Sequence, residues 1–167
     1  MEKVTDIASY IYQRYQKQFG KCIDEMKLHK LLYFTQRESI IQTDEPIFQE
    51  EFEAWKYGPV MTGIRRMYKD GSLTKAIPQS IADRYKKIFD VVFDTYASKD
   101  SWSLSSITHG EYCWEKARNG IPENENCDRK IDTNDIRWDA DRIKIRRLLY
   151  KKLMNKTVYS YCHENHR

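Results

Sequence analysis

A chain of 167 residues that is 40% apolar and 32% charged can bury one core without staples and is too apolar to be disordered. Six glycines and four prolines among many long charged side chains favour helices over an all-β fold. The net charge of +4 is uneven: Arg137–Arg167 holds nine Lys/Arg against three Asp/Glu, or +6, so residues 1–136 carry −2.

The first periodic segment is Val4, Ile7, Ala8, Ile11 and Tyr15, one face of a helix with Thr5 as its expected cap and Gly20 after its end. A second helix is predicted from Asp24 to Ile41, with Asp24 as N-cap and Ile23 and Leu28 as a hydrophobic staple. Leu28, Leu31, Leu32 and Thr35 share one face while Met26, Tyr33 and Ile40 lie opposite, the pattern of a central helix. Leu31-Leu32-Tyr33-Phe34 is far short of the ~20 apolar residues of a membrane span. Met1–Asp6 lacks the apolar stretch of a leader, so a cytoplasmic protein is expected.

Ile47-Phe48 and Phe52–Tyr57 alternate and read as two short strands of a hairpin, ended by Gly58-Pro59. Pro59 suits the first turn of a helix carrying Val60, Ile64 and Met67 and stopping at Asp70-Gly71. Ser80 is the expected cap of a helix through Ile81, Tyr85, Ile88, Phe89, Val92 and Tyr96. Ser103–Ile107 reads as a short turn and Gly110–Arg118 as a helix. Residues 121–134 form a polar loop, and a last helix runs from about Asp135 to Met154. The expected architecture is a mainly α, compact helical domain over residues 1–156 with a small β-hairpin, then a loosely held tail from 157 to 167.

Three stretches carry a family resemblance: Met26-Lys27-Leu28-His29-Lys30-Leu31-Leu32-Tyr33-Phe34, then Phe52-Glu53-Ala54-Trp55-Lys56-Tyr57-Gly58-Pro59-Val60, then Leu104–Glu111 followed by Trp114 and Arg118. In this order and spacing the chain resembles the Panacea domain, the SocA-like or GepA-like phage-associated family, over about residues 5–118. Ala54–Val60 is the most specific part. The resemblance implies a largely helical domain with a small β element. It also implies an antitoxin that binds and neutralises a protein toxin, commonly encoded next door, or that delivers it to a protease as an adaptor. It carries over no catalytic residue, so no enzyme is expected. Leu28, Lys30, Leu31, Tyr33, Gly58, Pro59, His109 and Trp114 are its motif positions.

Trp55, Lys56 and Tyr57 suit an aromatic binding edge. The competing reading is a structural corner in which Trp55 fills the core, and the core role of large aromatics favours it. His109 and Cys113, four residues apart, have the spacing of a Cys–His pair, but no pattern supplies an orienting group or oxyanion site. A helix-start histidine packed beside Trp114 is the simpler reading. His109-x3-Cys113 with Cys162-His163-x2-His166 offers zinc ligands, yet neither half is a known finger pattern, so no metal or other cofactor is expected. The cysteines at 22, 113, 127 and 162 form no CxxC pair and read as free thiols.

In the last helix Ile136, Ala140, Ile143, Tyr150 and Met154 form one stripe and Trp138, Ile145, Leu149 and Leu153 another on nearly the opposite side. One packs on the domain. The second, with its basic flanks, is the candidate partner surface, for a toxin or for a second copy in a homodimer. Nucleic acid is the competing partner for the +6 segment, although no helix-turn-helix, zinc finger or RNA-binding signature is present.

Overall fold

The computed structural model describes residues 1–164, with side chains through Asn155. The chain is mainly α with one two-stranded hairpin. Its elements are α1 (Val4–Phe19), α2 (Glu25–Thr43), β1 (Glu53–Trp55), β2 (Gly58–Val60), α3 (Thr62–Lys69), α4 (Gln79–Arg84), α5 (Lys86–Val92), α6 (Ser101–His109), α7 (Tyr112–Ala117) and α8 (Thr133–Glu164).

Helix α2 is the axis of the fold. Every residue from Lys27 to Ile41 is buried, because α1, α5, α6, α8 and β2 surround it. The Asp24 carboxylate accepts from Lys27 N at 2.9 Å and fixes its start. Helix α1 buries Val4, Ile7, Ala8, Ile11 and Tyr15, as its periodicity requires. Lys3 rather than Thr5 stands at its cap, and Gly20 closes it at φ 66°.

The hairpin lies later than its sequence signals suggest. Glu53 pairs with Val60, Ala54 with Pro59 and Trp55 with Gly58. Ile47-Phe48 are buried but not in a strand. Gly58-Pro59 therefore sits inside β2 rather than ending the sheet, and α3 begins only after Met61. Proline is tolerated there because β2 is an edge strand. On the other side of β1, Ala54 N donates to Arg129 O at 2.9 Å and Ile131 N to Phe52 O at 2.8 Å. The polar 121–134 segment is thus no simple exposed loop: it buries Cys127 and Ile131.

Other boundaries move as well. The helix expected from Ser80 starts at Gln79 after Pro78 and breaks at Tyr85, and α5 continues into a π turn over Phe93–Ala97. Ser101–His109 is a full helix capped by the Asp100 carboxylate at 2.9 Å from Ser103 N, not a turn. Gly110 ends α6, so α7 starts at Tyr112. Helix α8 extends past Met154, to Glu164.

Candidate partner-binding site

The surface of the domain is set by a polar frame around α2. Arg37 projects from α2 and is 1% exposed. It pairs with Glu111, donates to the Tyr96 hydroxyl at 2.7 Å, and lies over the Phe34 ring at 4.9 Å. Tyr33, one helical turn away, donates to the other Glu111 oxygen at 3.0 Å and meets Cys113 Sγ at 3.2 Å. Burial raises the Glu111 carboxyl above the usual range, against the opposing pull of Arg37. Burial also holds the Cys113 thiol protonated. Asp139 of α8 closes the frame: its two oxygens accept from Tyr112 N and Cys113 N, both at 2.9 Å, and cap α7.

Beside this frame, Lys30 is buried under the hairpin and donates to Pro59 O at 3.3 Å. Burial lowers its ammonium to about 7. His29, also buried, accepts from Met61 N at 3.4 Å, and burial together with Lys30 and Arg65 lowers its imidazole to about 3. Gly58, at φ 102°, leaves no space for a Cβ: that atom would meet Thr108 Oγ1 and lie 2.7 Å from Lys30 Cε. The glycine is required twice over, by its backbone angle and by this close approach.

These contacts hold the hairpin turn against α6 and α7. Ser105 Oγ donates to Tyr57 O at 3.0 Å, Trp114 Nε1 to Trp55 O at 2.9 Å, and Arg118 Nη1 to Ala54 O at 3.0 Å. Trp55 does not fill the core. It is half-buried, bonded to Glu53 at 2.8 Å and faced by Arg65. Lys56 lies over the Tyr57 ring at 5.1 Å. Tyr57, 43% exposed, meets Trp102, 62% exposed, edge to face at 5.3 Å between centroids.

The motif positions Leu28, Lys30, Leu31 and Tyr33 are interior, Gly58 and Pro59 form β2, and His109 stacks on Trp114 at 4.1 Å. His109 ends α6 rather than starting a helix, and its Nε2 lies 3.4 Å from Ser105 Oγ. Cys113 belongs to α7 and faces Tyr33, so the two residues do not share a helical face. Among the described residues no cluster of three His, Cys, Asp or Glu is placed to hold a metal ion. The side chains of Cys162, His163 and His166 lie outside the described residues. Cys22, Cys113 and Cys127 are free thiols.

On α8, Ile136 and Ala140 are buried and Ile143 packs on the core. The expected packing stripe ends there: Tyr150 and Met154 are exposed. The other stripe is open throughout, since Trp138, Ile145, Leu149 and Leu153 are 51–64% exposed. Trp138 pairs with Tyr112 at 4.7 Å beneath Arg142. Two residues in this surface escaped sequence reasoning. Trp102 lay just before the segment read as a turn and was assigned to no element, and Tyr112 lay in one read only for its helix.

A buried polar frame, a clamped hairpin and outward-turned aromatic pairs together define a mainly helical domain with a small β element. The chain belongs to the antitoxin SocA-like, Panacea domain family, whose model matches residues 28–115. No curated protein and no solved structure matches it. The matched stretch contains α2 from Leu28 onward, the hairpin, α6, Glu111 and Trp114, whereas α8 lies beyond it.

Proposed function

We propose that this chain is a non-catalytic cytoplasmic antitoxin that neutralises a cognate protein toxin, encoded by the adjacent gene, through direct binding. The observation that carries this reading is the antitoxin-family match across the elements that hold Trp55, Lys56, Tyr57 and Trp102 at the surface. Large rigid aromatics flanked by a cation are the usual anchors of protein interfaces. No described helix is long and apolar enough to cross a membrane.

The test is co-expression of the tagged chain with the product of the neighbouring reading frame, scoring growth and co-purification together. A stable complex that restores growth supports the reading; a folded chain that neither binds nor rescues refutes it. The partner's abundance in the same cells separates direct neutralisation from adaptor delivery to a protease, because only delivery depletes the partner.

The basic character of α8 supports nucleic acid as a second reading. Much of that charge is already matched: Lys144 pairs with Asp44 at 2.9 Å, Arg147 with Glu38 at 2.8 Å and Arg142 with Asp139 at 3.7 Å. Binding to duplex DNA that collapses between low and moderate salt would favour this second reading.

A further inference from the structure

Helix α8 leaves the body as an arm. Arg147, bonded through both Nη atoms to Glu38 at 2.8 and 2.9 Å, makes its last ion pair with the body among the described residues. Every residue from Ile145 to Asn155 is exposed. Ile145, Leu148, Leu149, Tyr150, Leu153 and Met154 nonetheless supply much of that segment, each 48–64% exposed. Helices draw most of their stability from tertiary packing, and a helix that is apolar on all sides normally stands inside something.

We propose that residues 145–155 are a docking arm that a partner protein encloses in an apolar groove carrying acidic groups along its length. This rests on the antitoxin reading, in which the partner is the toxin. Two features choose that occupant. The first is angular spread. At 3.6 residues per turn Leu148, Ile145, Leu149, Tyr150 and Met154 span about 240° of the helix circumference. One packed helix covers a stripe of roughly 100°. The matching arm of a second copy would leave more than half of the apolar arc in water, and so would a flat lipid surface. A groove that wraps the arm covers it.

The second feature is charge. From Arg142 to Asn155 the sequence holds six Lys/Arg and no acid. Arg146, Lys151 and Lys152 have no acidic partner among the described residues, and they interleave with the apolar side chains. Two such arms side by side would oppose cation to cation, whereas acidic groups set along the groove would pair with all three.

The test uses the full chain co-expressed with the neighbouring gene product, with affinities measured on the purified proteins. Ile145→Gln/Leu149→Gln removes two apolar anchors while keeping a good helix former. It weakens the complex by at least about 100-fold, the loss expected when hot-spot side chains are truncated. Arg146→Glu/Lys151→Glu/Lys152→Glu also weakens it, by at least about tenfold at low salt, and flattens its salt dependence. Both variants keep the wild-type melting temperature, because the altered side chains are exposed.

Wild-type affinity in both variants would overturn the arm and leave the antitoxin reading standing. Absence of a complex and of rescue with the unaltered chain would overturn the antitoxin reading, and the arm's assignment with it. Sedimentation of the chain alone should give a monomer. A dimer dissolved by Ile145→Gln/Leu149→Gln would reassign the arm to a second copy. Flotation with phosphatidylserine vesicles that the same variant abolishes would reassign it to a lipid surface.

Discussion

Replacing Gly58 by alanine tests the clamp between the hairpin and α6 more directly than any other single change. The new methyl group must form at φ 102°, a region that L-residues rarely adopt, and must push against Thr108 Oγ1, Lys30 Cε at 2.7 Å and Lys30 Nζ at 2.8 Å. The backbone strain costs about 1–3 kcal/mol and the overpacking about another 1–3 kcal/mol. A central loss of ~4 kcal/mol lowers the melting temperature of a domain this size by about 8–16 °C. Thermal unfolding followed by circular dichroism reads that shift. Adding Thr108→Ala removes the nearest obstructing oxygen but leaves the backbone angle untouched. It should recover only about 1–2 kcal/mol. A fall of less than about 2 °C in the single variant would refute the argument, since it would mean that the hairpin slides away from Lys30 at negligible cost.

Three further outcomes follow from the frame and from Lys30 beside it. Arg37→Met strands the Glu111 carboxyl inside the protein and costs about 3–5 kcal/mol near neutral pH, while Arg37→Met/Glu111→Leu costs clearly less, so chemical denaturation of the set shows strong non-additivity. In Arg37→Met the Glu111 carboxyl, already raised by burial, loses the stronger of its two opposing cations and keeps only the weaker pull of Arg142. Its folded pKa then rises further above the unfolded one, so the variant is relatively most stable below the unfolded carboxylate pKa and loses more ground than the unaltered chain as pH rises. The buried Lys30 amine, lowered to about 7, works in the opposite sense. Above pH 7 the unfolded chain holds a proton that the folded chain has lost, so stability rises towards pH 10 by at most about 1.4 kcal/mol per unit. Lys30→Met should flatten that rise, and equal slopes for the two proteins would contradict the burial. Finally, Asp139→Ala orphans Tyr112 N and Cys113 N and should cost about 2 kcal/mol in denaturant; a neutral result would show that α7 does not need its cap.

Local periodicity made α1 and α2 readable. Ile7, Ala8 and Ile11 recur at helical spacing, and the two apolar faces around Leu31 and Tyr33 mark α2 as central. Errors arose where a local signal served a tertiary purpose. Gly58-Pro59 looks like a terminator, but here the glycine makes room for Lys30 and the proline sits on an edge strand. Thr5 and Ser80 are good caps by type, yet neither helix starts where they stand. The break at Tyr85 interrupts an unbroken apolar period, and we find no sequence signal for it.

The frame was illegible for a different reason. Arg37 and Glu111 are 74 positions apart, and each looks like an ordinary exposed charge on a helix. Only the fold shows that Arg37 is interior and must be matched. The same holds for Glu38, which is buried and receives both Nη atoms of Arg147 from 109 positions away. These pairings explain how a helix outside the matched stretch is tied to it. Glu38 and Asp44 hold α8 by Arg147 and Lys144, while Asp139 of α8 caps α7. The exchange of acids runs both ways, so the base of the arm is held by two buried acids, Glu38 and Asp139, together with the exposed Asp44–Lys144 pair. Arg147→Ala would test this coupling: it leaves Glu38 buried without its cation and should loosen the base of the arm without unfolding α2. Faster amide exchange confined to α8 is the expected reading, and global destabilisation would instead make Glu38 part of the core's own support.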